Sequence, residues 1–168
     1  MGADPAVSVT TATADDTLAL GVALAGVFRE RDVVLLTGEL GAGKTTLVRG
    51  IVAGLGSQDH VQSPTFTLIR EYAGRLAVAH VDVYRLERVQ DVVDLGLDEI
   101  ADGRALLLIE WGDAIQDLLP SDTLRITMTT ADPTGEDAER TVVLAGQGEV
   151  WRARWDDLEA LVGVRSRA

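Results

Sequence analysis

Residues 38–45 constrain this chain more than any other segment. Gly38-Glu39-Leu40-Gly41-Ala42-Gly43-Lys44-Thr45 spells G-x-x-x-x-G-K-[ST]. Residues 33–37 precede it, a continuous apolar run that suits a strand buried on both faces. TTLVRGIVAGL follows, a helix closed by Gly54 or Gly56. Strand, glycine turn and helix in that order make a phosphate cradle. Glycines let successive backbone N–H groups turn inward, and the helix N-terminus adds free donors and partial positive charge. Lys44 is the only lysine, in a chain whose other 14 basic residues are all arginine. It stands where a compact charge must reach the β and γ phosphates, and the Thr45 hydroxyl stands where magnesium is held.

Such a site needs an acidic group from another strand. Glu110 ends the apolar run ALLLIE, and Asp82 lies in LAVAHVDVY. Both runs deliver a carboxylate to the carboxyl edge of a parallel sheet, where phosphates sit. Spacing alone leaves open which one touches the metal shell and which orients water. Ser63-Pro64-Thr65-Phe66-Thr67 occupies the place of a nucleotide switch, with Thr65 as the candidate hydroxyl; a proline turn entering a strand is the equal alternative. His80 alternates with Val78 and Asp82 on one strand face and reads as a hydrogen-bonded structural residue. Trp111 follows Glu110 at the sheet edge, placed either to stack on a base or to fill the rim.

The remaining elements fit an α/β architecture of one domain over residues 1–168. Residues 7–13 read as a strand, and a helix follows to about Glu30 with Asp15 and Asp16 at its N-cap. TFTLIREY and LAVAHVDVY flank Ala73-Gly74-Arg75 as an antiparallel hairpin. RVQDVVDLGLDEI is a helix made irregular near Gly96, and GDAIQDLL is a short helix stopped by Pro120. TLRITMTTA and RTVVLAG are strands around an acidic loop. In the tail, Trp151, Trp155, Leu158 and Val162 share a helical face. The fold expected is a three-layer P-loop NTPase with a mixed sheet, a parallel core plus an antiparallel hairpin.

Composition removes whole classes. There is no cysteine, and the two histidines are His60 and His80. Disulfide frameworks, Cys-ligated metals and thiol chemistry are excluded. A GTPase reads guanine through Asn-Lys-x-Asp, impossible without asparagine or a second lysine. A net charge of −12 disfavours direct gripping of tRNA. Neither a signal-peptide pattern nor an apolar run of membrane-spanning length is present, so no membrane partner and a cytoplasmic location are expected. An ATPase or a small-molecule P-loop kinase remains, with a non-hydrolysing nucleotide-dependent regulatory module as the alternative from another class. Residues 113–139 hold only Arg125 as a basic residue, so a kinase lid rich in arginine is not evident.

GELGAGKTTLVRG, SPTFTLIREY, HVDVYRL and LIEW, in this order and spacing over about residues 13–112, closely resemble the TsaE family. These are bacterial ATPases of tRNA threonylcarbamoyladenosine (t6A) biosynthesis. The resemblance implies that Gly41, Ala42, Gly43, Lys44, Thr45 and Thr46 bind ATP phosphates, with Thr45 and Glu110 at Mg2+. It also implies that Asp82 lies near the γ-phosphate, that Thr65 falls in a switch-like segment, and that Trp111 lies beside the nucleotide. Arg85 completes a Tyr-Arg pair, Arg140 matches a nucleotide-side arginine, and residues 14–17 match the adenine side. The implied partners are TsaB and TsaD, whose threonylcarbamoyl transfer the ATPase supports, with tRNA reached only through that complex.

Overall fold

The computed structural model describes residues 2–62, 69–83, 89–94, 96–135 and 138–163. In chain order the elements are β1 (Ala6–Thr11), α1 (Ala14–Leu24), β2 (Val33–Gly38), α2 (Lys44–Gly54), β3 (Ile69–Tyr72) and β4 (Val78–Asp82). There follow α3 (Val89–Asp94), α4 (Leu97–Asp102), β5 (Leu106–Glu110), a 3-10 helix (Gly112–Leu118), β6 (Thr123–Thr130), β7 (Arg140–Gly146), α5 (Glu149–Ala153) and α6 (Trp155–Gly163).

Among the described residues seven strands form one mixed sheet in the order β1-β7-β6-β2-β5-β4-β3. The four central strands β6, β2, β5 and β4 are parallel. Antiparallel partners close both flanks, β3 on β4 and the β7–β1 pair on β6. The strands end together, so Gly38, Asp82, Glu110 and Thr130 share one edge with the start of β7.

Strand alternation divides the core into two layers. Val34, Leu36, Leu106, Leu108, Leu124 and Ile126 face α1, α2 and the C-terminal helices. Val33, Leu35, Ala79, Val81, Leu107 and Ile109 face the 3-10 helix, packing on Ile115. The central strands carry apolar residues on both faces because helices cover both. The result is the α/β P-loop architecture the sequence predicts.

Three local expectations change. The N-cap of α1 is Thr13, not Asp15 or Asp16: Thr13 Oγ1 accepts from Asp16 N (3.1 Å) while Asp16 Oδ2 accepts from Thr13 N (3.2 Å). This reciprocal capping box satisfies two donors at once, which neither aspartate could do alone at the cap. α1 also stops at Leu24 rather than near Glu30. Its last turn tightens through Gly26 N to Ala23 O and Val27 N to Leu24 O, and Arg75 Nη2 holds Ala25 O at 2.6 Å. That turn carries Val27 and Phe28 into the core. The C-terminal helix breaks at Arg154, yet Trp151, Trp155, Leu158 and Val162 all remain buried in one cluster.

Candidate active site

The turn between β2 and α2 builds the centre of the site. Gly41 and Gly43 have φ of +81° and +101°, in the left-handed region that favours glycine. A Cβ on Gly41 would overlap the Pro133 carbonyl, and one on Gly43 would press on Arg140. Gly43 is the N-cap of α2 and offers no side chain to it. The first N–H groups of the helix therefore remain directed at the turn, as an anion site requires.

Lys44 is 5% exposed. Its ammonium donates to Gly38 O (2.6 Å) and Glu39 O (2.9 Å) and lies 3.8 Å from the centre of the Trp111 ring. Trp111 has a φ of +64°, uncommon for a bulky residue. Its N–H bonds to Leu36 O (3.0 Å), so the turn after β5 is fastened to β2 two residues before the cradle. The tryptophan thus packs against the lysine of the turn.

The carboxylates come from neighbouring parallel strands. Asp82 and Glu110 are directly opposite in the β4–β5 register, and both are buried. Thr45 Oγ1 donates to Glu110 Oε1 at 3.2 Å. His80 Nε2 donates to Glu110 Oε2 at 2.6 Å, with the imidazole fully buried. Hydroxyl and carboxylate oxygens side by side are hard donors of the kind Mg2+ takes. Mg2+ keeps waters and phosphate oxygens and needs only one or two protein groups. Among the described residues no group of three or more His, Cys, Asp or Glu forms an all-protein metal cage. The donor set fits a nucleotide-bound magnesium.

Two side chains hold the backbone of Val61 and Gln62. Arg49 Nε donates to Val61 O (3.3 Å) and the Tyr72 hydroxyl to Gln62 O (3.3 Å). Burial of the Tyr72 phenol raises its pKa above the ordinary value, so the hydroxyl keeps its proton for that bond. Thr65 and Arg85 lie outside the described residues. Thr17 is fully buried, its hydroxyl 2.8 Å from that of Thr11 and donating to Thr13 O, so its side chain serves the joint between β1 and α1.

Arg140 supports the turn from behind. Its guanidinium donates to Ala42 O (3.1 Å), Ala138 O (2.6 Å) and Gly135 O (3.3 Å), tying the glycine turn to the β6–β7 hairpin. Beside it a cleft of about 860 Å³ opens in that hairpin, lined by Thr129, Thr130, Asp132, Gly135, Glu139 and Thr141 among others. Sequence reasoning left His80 outside the site. The available signal was its position two residues before Asp82, which puts both on one face of β4. No helix among the described residues is long and apolar enough to cross a membrane.

The family model "Threonylcarbamoyl adenosine biosynthesis protein TsaE" matches residues 11–142. A tRNA threonylcarbamoyladenosine biosynthesis protein TsaE of Treponema pallidum (strain Nichols) is 42% identical over 116 residues, 69% of this chain and 86% of the relative. Its counterpart in Bacillus subtilis (strain 168) is 39% identical over 149 residues, 88% of this chain and 90% of the relative. The crystal structure of Bacillus subtilis YdiB superposes with a TM-score of 0.80 at 33% identity, covering 95% of this chain and 98% of that one.

Proposed function

The chain belongs to the TsaE family of threonylcarbamoyl adenosine biosynthesis proteins, and on that footing we propose that it is the Mg2+-dependent ATPase that supports turnover of the TsaB–TsaD threonylcarbamoyl transferase in t6A modification of tRNA. The observation that carries the ATPase reading is the contact between Thr45 of the glycine turn and Glu110 of β5, 3.2 Å, beside a buried lysine held on the carbonyls of Gly38 and Glu39.

The roles follow from the chemistry of each group. The backbone N–H groups of residues 41–46 cradle the ATP phosphates, and Lys44 leaves its carbonyl partners to neutralise the β and γ oxygens. Thr45 and Glu110 hold the magnesium shell. Bound Mg2+ supplies neutralisation of charge developing between the β and γ phosphates. Asp82, opposite Glu110 in the strand register, orients the attacking water at the γ-phosphate. Thr65 supplies a further hydroxyl to the site from the segment 63–67. Trp111 lies over Lys44 and keeps the lysine beside the nucleotide.

Transfer to water rather than to a small anionic acceptor is favoured by the scarcity of basic residues over 113–139, where Arg125 alone could hold such an acceptor. The overall charge of −12 favours a route to tRNA through TsaB–TsaD in the cytoplasm. The test is phosphate release from Mg·ATP by the purified protein, alone, with TsaB–TsaD and with candidate acceptors. Slow release that the TsaB–TsaD pair accelerates is expected. Acceptor phosphorylation, or no release under any condition, would overturn the reading.

A further inference from the structure

His80 is a polar side chain with no exposure at all, on the sheet face that carries Val78 and Leu108 and beside the Tyr72 ring. Strand geometry explains where it points. His80 pairs with Leu108 across the β4–β5 ladder, so Glu110 is its diagonal neighbour on the same face. Its Nε2 takes that diagonal and donates to Glu110 Oε2 at 2.6 Å. The other oxygen, Oε1, accepts from Thr45 Oγ1 at 3.2 Å. Each oxygen of the carboxylate is thus fixed from a different direction, one by the core and one by the turn.

This division has a chemical consequence. A carboxylate held only at Oε1 can rotate about its last bond or swing to another rotamer. With Oε2 held by a buried donor, the carboxylate plane is set and Oε1 is presented toward Thr45. A hydrogen bond to an ionised acceptor away from water is among the stronger kinds. Side chains that orient a metal-shell carboxylate from behind affect metal affinity although they touch neither metal nor substrate. A leucine at position 80 would pack against Val78 and Leu108 without burying a polar ring, so packing does not explain the histidine.

We propose that His80 is a positioning residue that aims the Glu110 carboxylate at the magnesium side of the nucleotide site. The inference rests on the reading of Glu110 as a metal-shell group. The test measures ATP affinity by calorimetry in excess Mg2+ and in EDTA, for the wild type, His80→Phe and His80→Gln. A glutamine amide nitrogen is as many bonds from Cα as His Nε2 and can donate from the same place. Phenylalanine fills the space and donates nothing. His80→Phe is expected to lose about tenfold or more of the Mg2+-dependent gain in affinity, with its EDTA affinity unchanged. His80→Gln is expected to restore most of that gain. In a Glu110→Gln background, His80→Phe should add no further loss.

A full Mg2+-dependent gain in His80→Phe would overturn the proposal. So would an equal loss with and without Mg2+, or an undiminished loss in the Glu110→Gln background, since each points to general packing. Should His80→Phe not fold, His80→Asn replaces it, because its amide stops one bond short of Glu110; the proposal then stands on His80→Gln succeeding where His80→Asn fails. A wild type with no Mg2+-dependent gain would instead strike the reading of Glu110 itself, and the inference with it.

Discussion

The two ends of β2 are each held by a buried arginine from the C-terminal third, and the two are held differently. At the leading end, Arg154 forms a two-pronged ion pair with Asp32, Nη2 to Oδ1 at 2.6 Å and Nη1 to Oδ2 at 2.9 Å. It also donates to Val27 O (3.0 Å) and lies over the Trp151 ring. At the trailing end, Arg140 donates to three backbone carbonyls around the glycine turn. A carboxylate at the leading end closes the charge locally and makes a staple. At the trailing end the guanidinium reaches backbone carbonyls, and its bond to Ala42 O holds the glycine turn itself. On the proposed ATPase reading, one end of the strand serves stability and the other serves the ligand.

The most severe test of that contrast is Lys44→Ala at the trailing end. It should reduce turnover by at least about 10²–10³-fold, the loss typical of removing a principal group that stabilises transition-state charge. The nucleotide-free protein should remain folded by circular dichroism. Lys44→Arg should not rescue activity, because a planar fork does not match a cradle shaped for a compact ammonium. Normal phosphate release by Lys44→Ala would remove the ligand function from this end of β2.

Arg154→Ala tests the leading end. It leaves the Asp32 carboxylate buried without its guanidinium, and breaking one side of a buried pair costs about 3–5 kcal/mol. At roughly 2–4 °C per kcal/mol for a chain of this size, the melting temperature should fall by about 6–20 °C. ATP affinity of the folded fraction should be unchanged when measured well below the transition. An affinity loss as large as that of Lys44→Ala would erase the distinction between the ends.

The carboxylates beside the turn divide the ligand end further. On the proposed assignment, Asp82→Asn should retain Mg·ATP binding and lose about a hundredfold or more in turnover, because the water-orienting carboxylate is gone. Glu110→Gln should raise the Mg2+ concentration needed for half-maximal activity about tenfold. Metal titrations of both variants decide the assignment. The reverse pattern would exchange the two roles.

Much of the trailing end could be read in the chain itself. G-E-L-G-A-G-K-T between an apolar run and a helical one specifies the turn, and ALLLIE and LAVAHVD end in carboxylates at the edge the turn occupies. These are local patterns, in which period and motif speak directly. The contacts that escape such reading are long-range. His80 and Glu110 are 30 residues apart, and Ala42 and Arg140 are 98 apart. Nothing in RTVVLAG shows its first residue turning back onto the glycine loop. The staple at Asp32 is hidden for the same reason, 122 residues from Arg154. The helix break at Arg154 is invisible to periodicity because the apolar face of Trp151, Trp155, Leu158 and Val162 continues across it. At the end of α1 the Ala25 carbonyl is taken by Arg75, 50 residues away in the far hairpin.

The smallest effect expected is that of Arg140→Ala, and it is the one that most sharpens the contrast. Removing Arg140 leaves the carbonyls of Ala42, Gly135 and Ala138 to find other donors or water. Losing the partner of a buried neutral group costs about 1–3 kcal/mol, so melting should drop by less than in Arg154→Ala. Ligand affinity should move the other way. The bond to Ala42 O fixes the turn two residues before Lys44, and the side chain packs on Gly43. A turn freed there must be ordered again by the nucleotide, and ATP affinity should fall several-fold. Arg140→Lys keeps the charge but not the fork, so it should recover only part of the affinity. Thermal melts and ATP titrations of Arg140→Ala beside Arg154→Ala give two orderings, and the contrast requires them to be opposite. If Arg140→Ala proves the less stable variant and binds ATP like the wild type, both arginines are staples and the ends of β2 do not differ in kind.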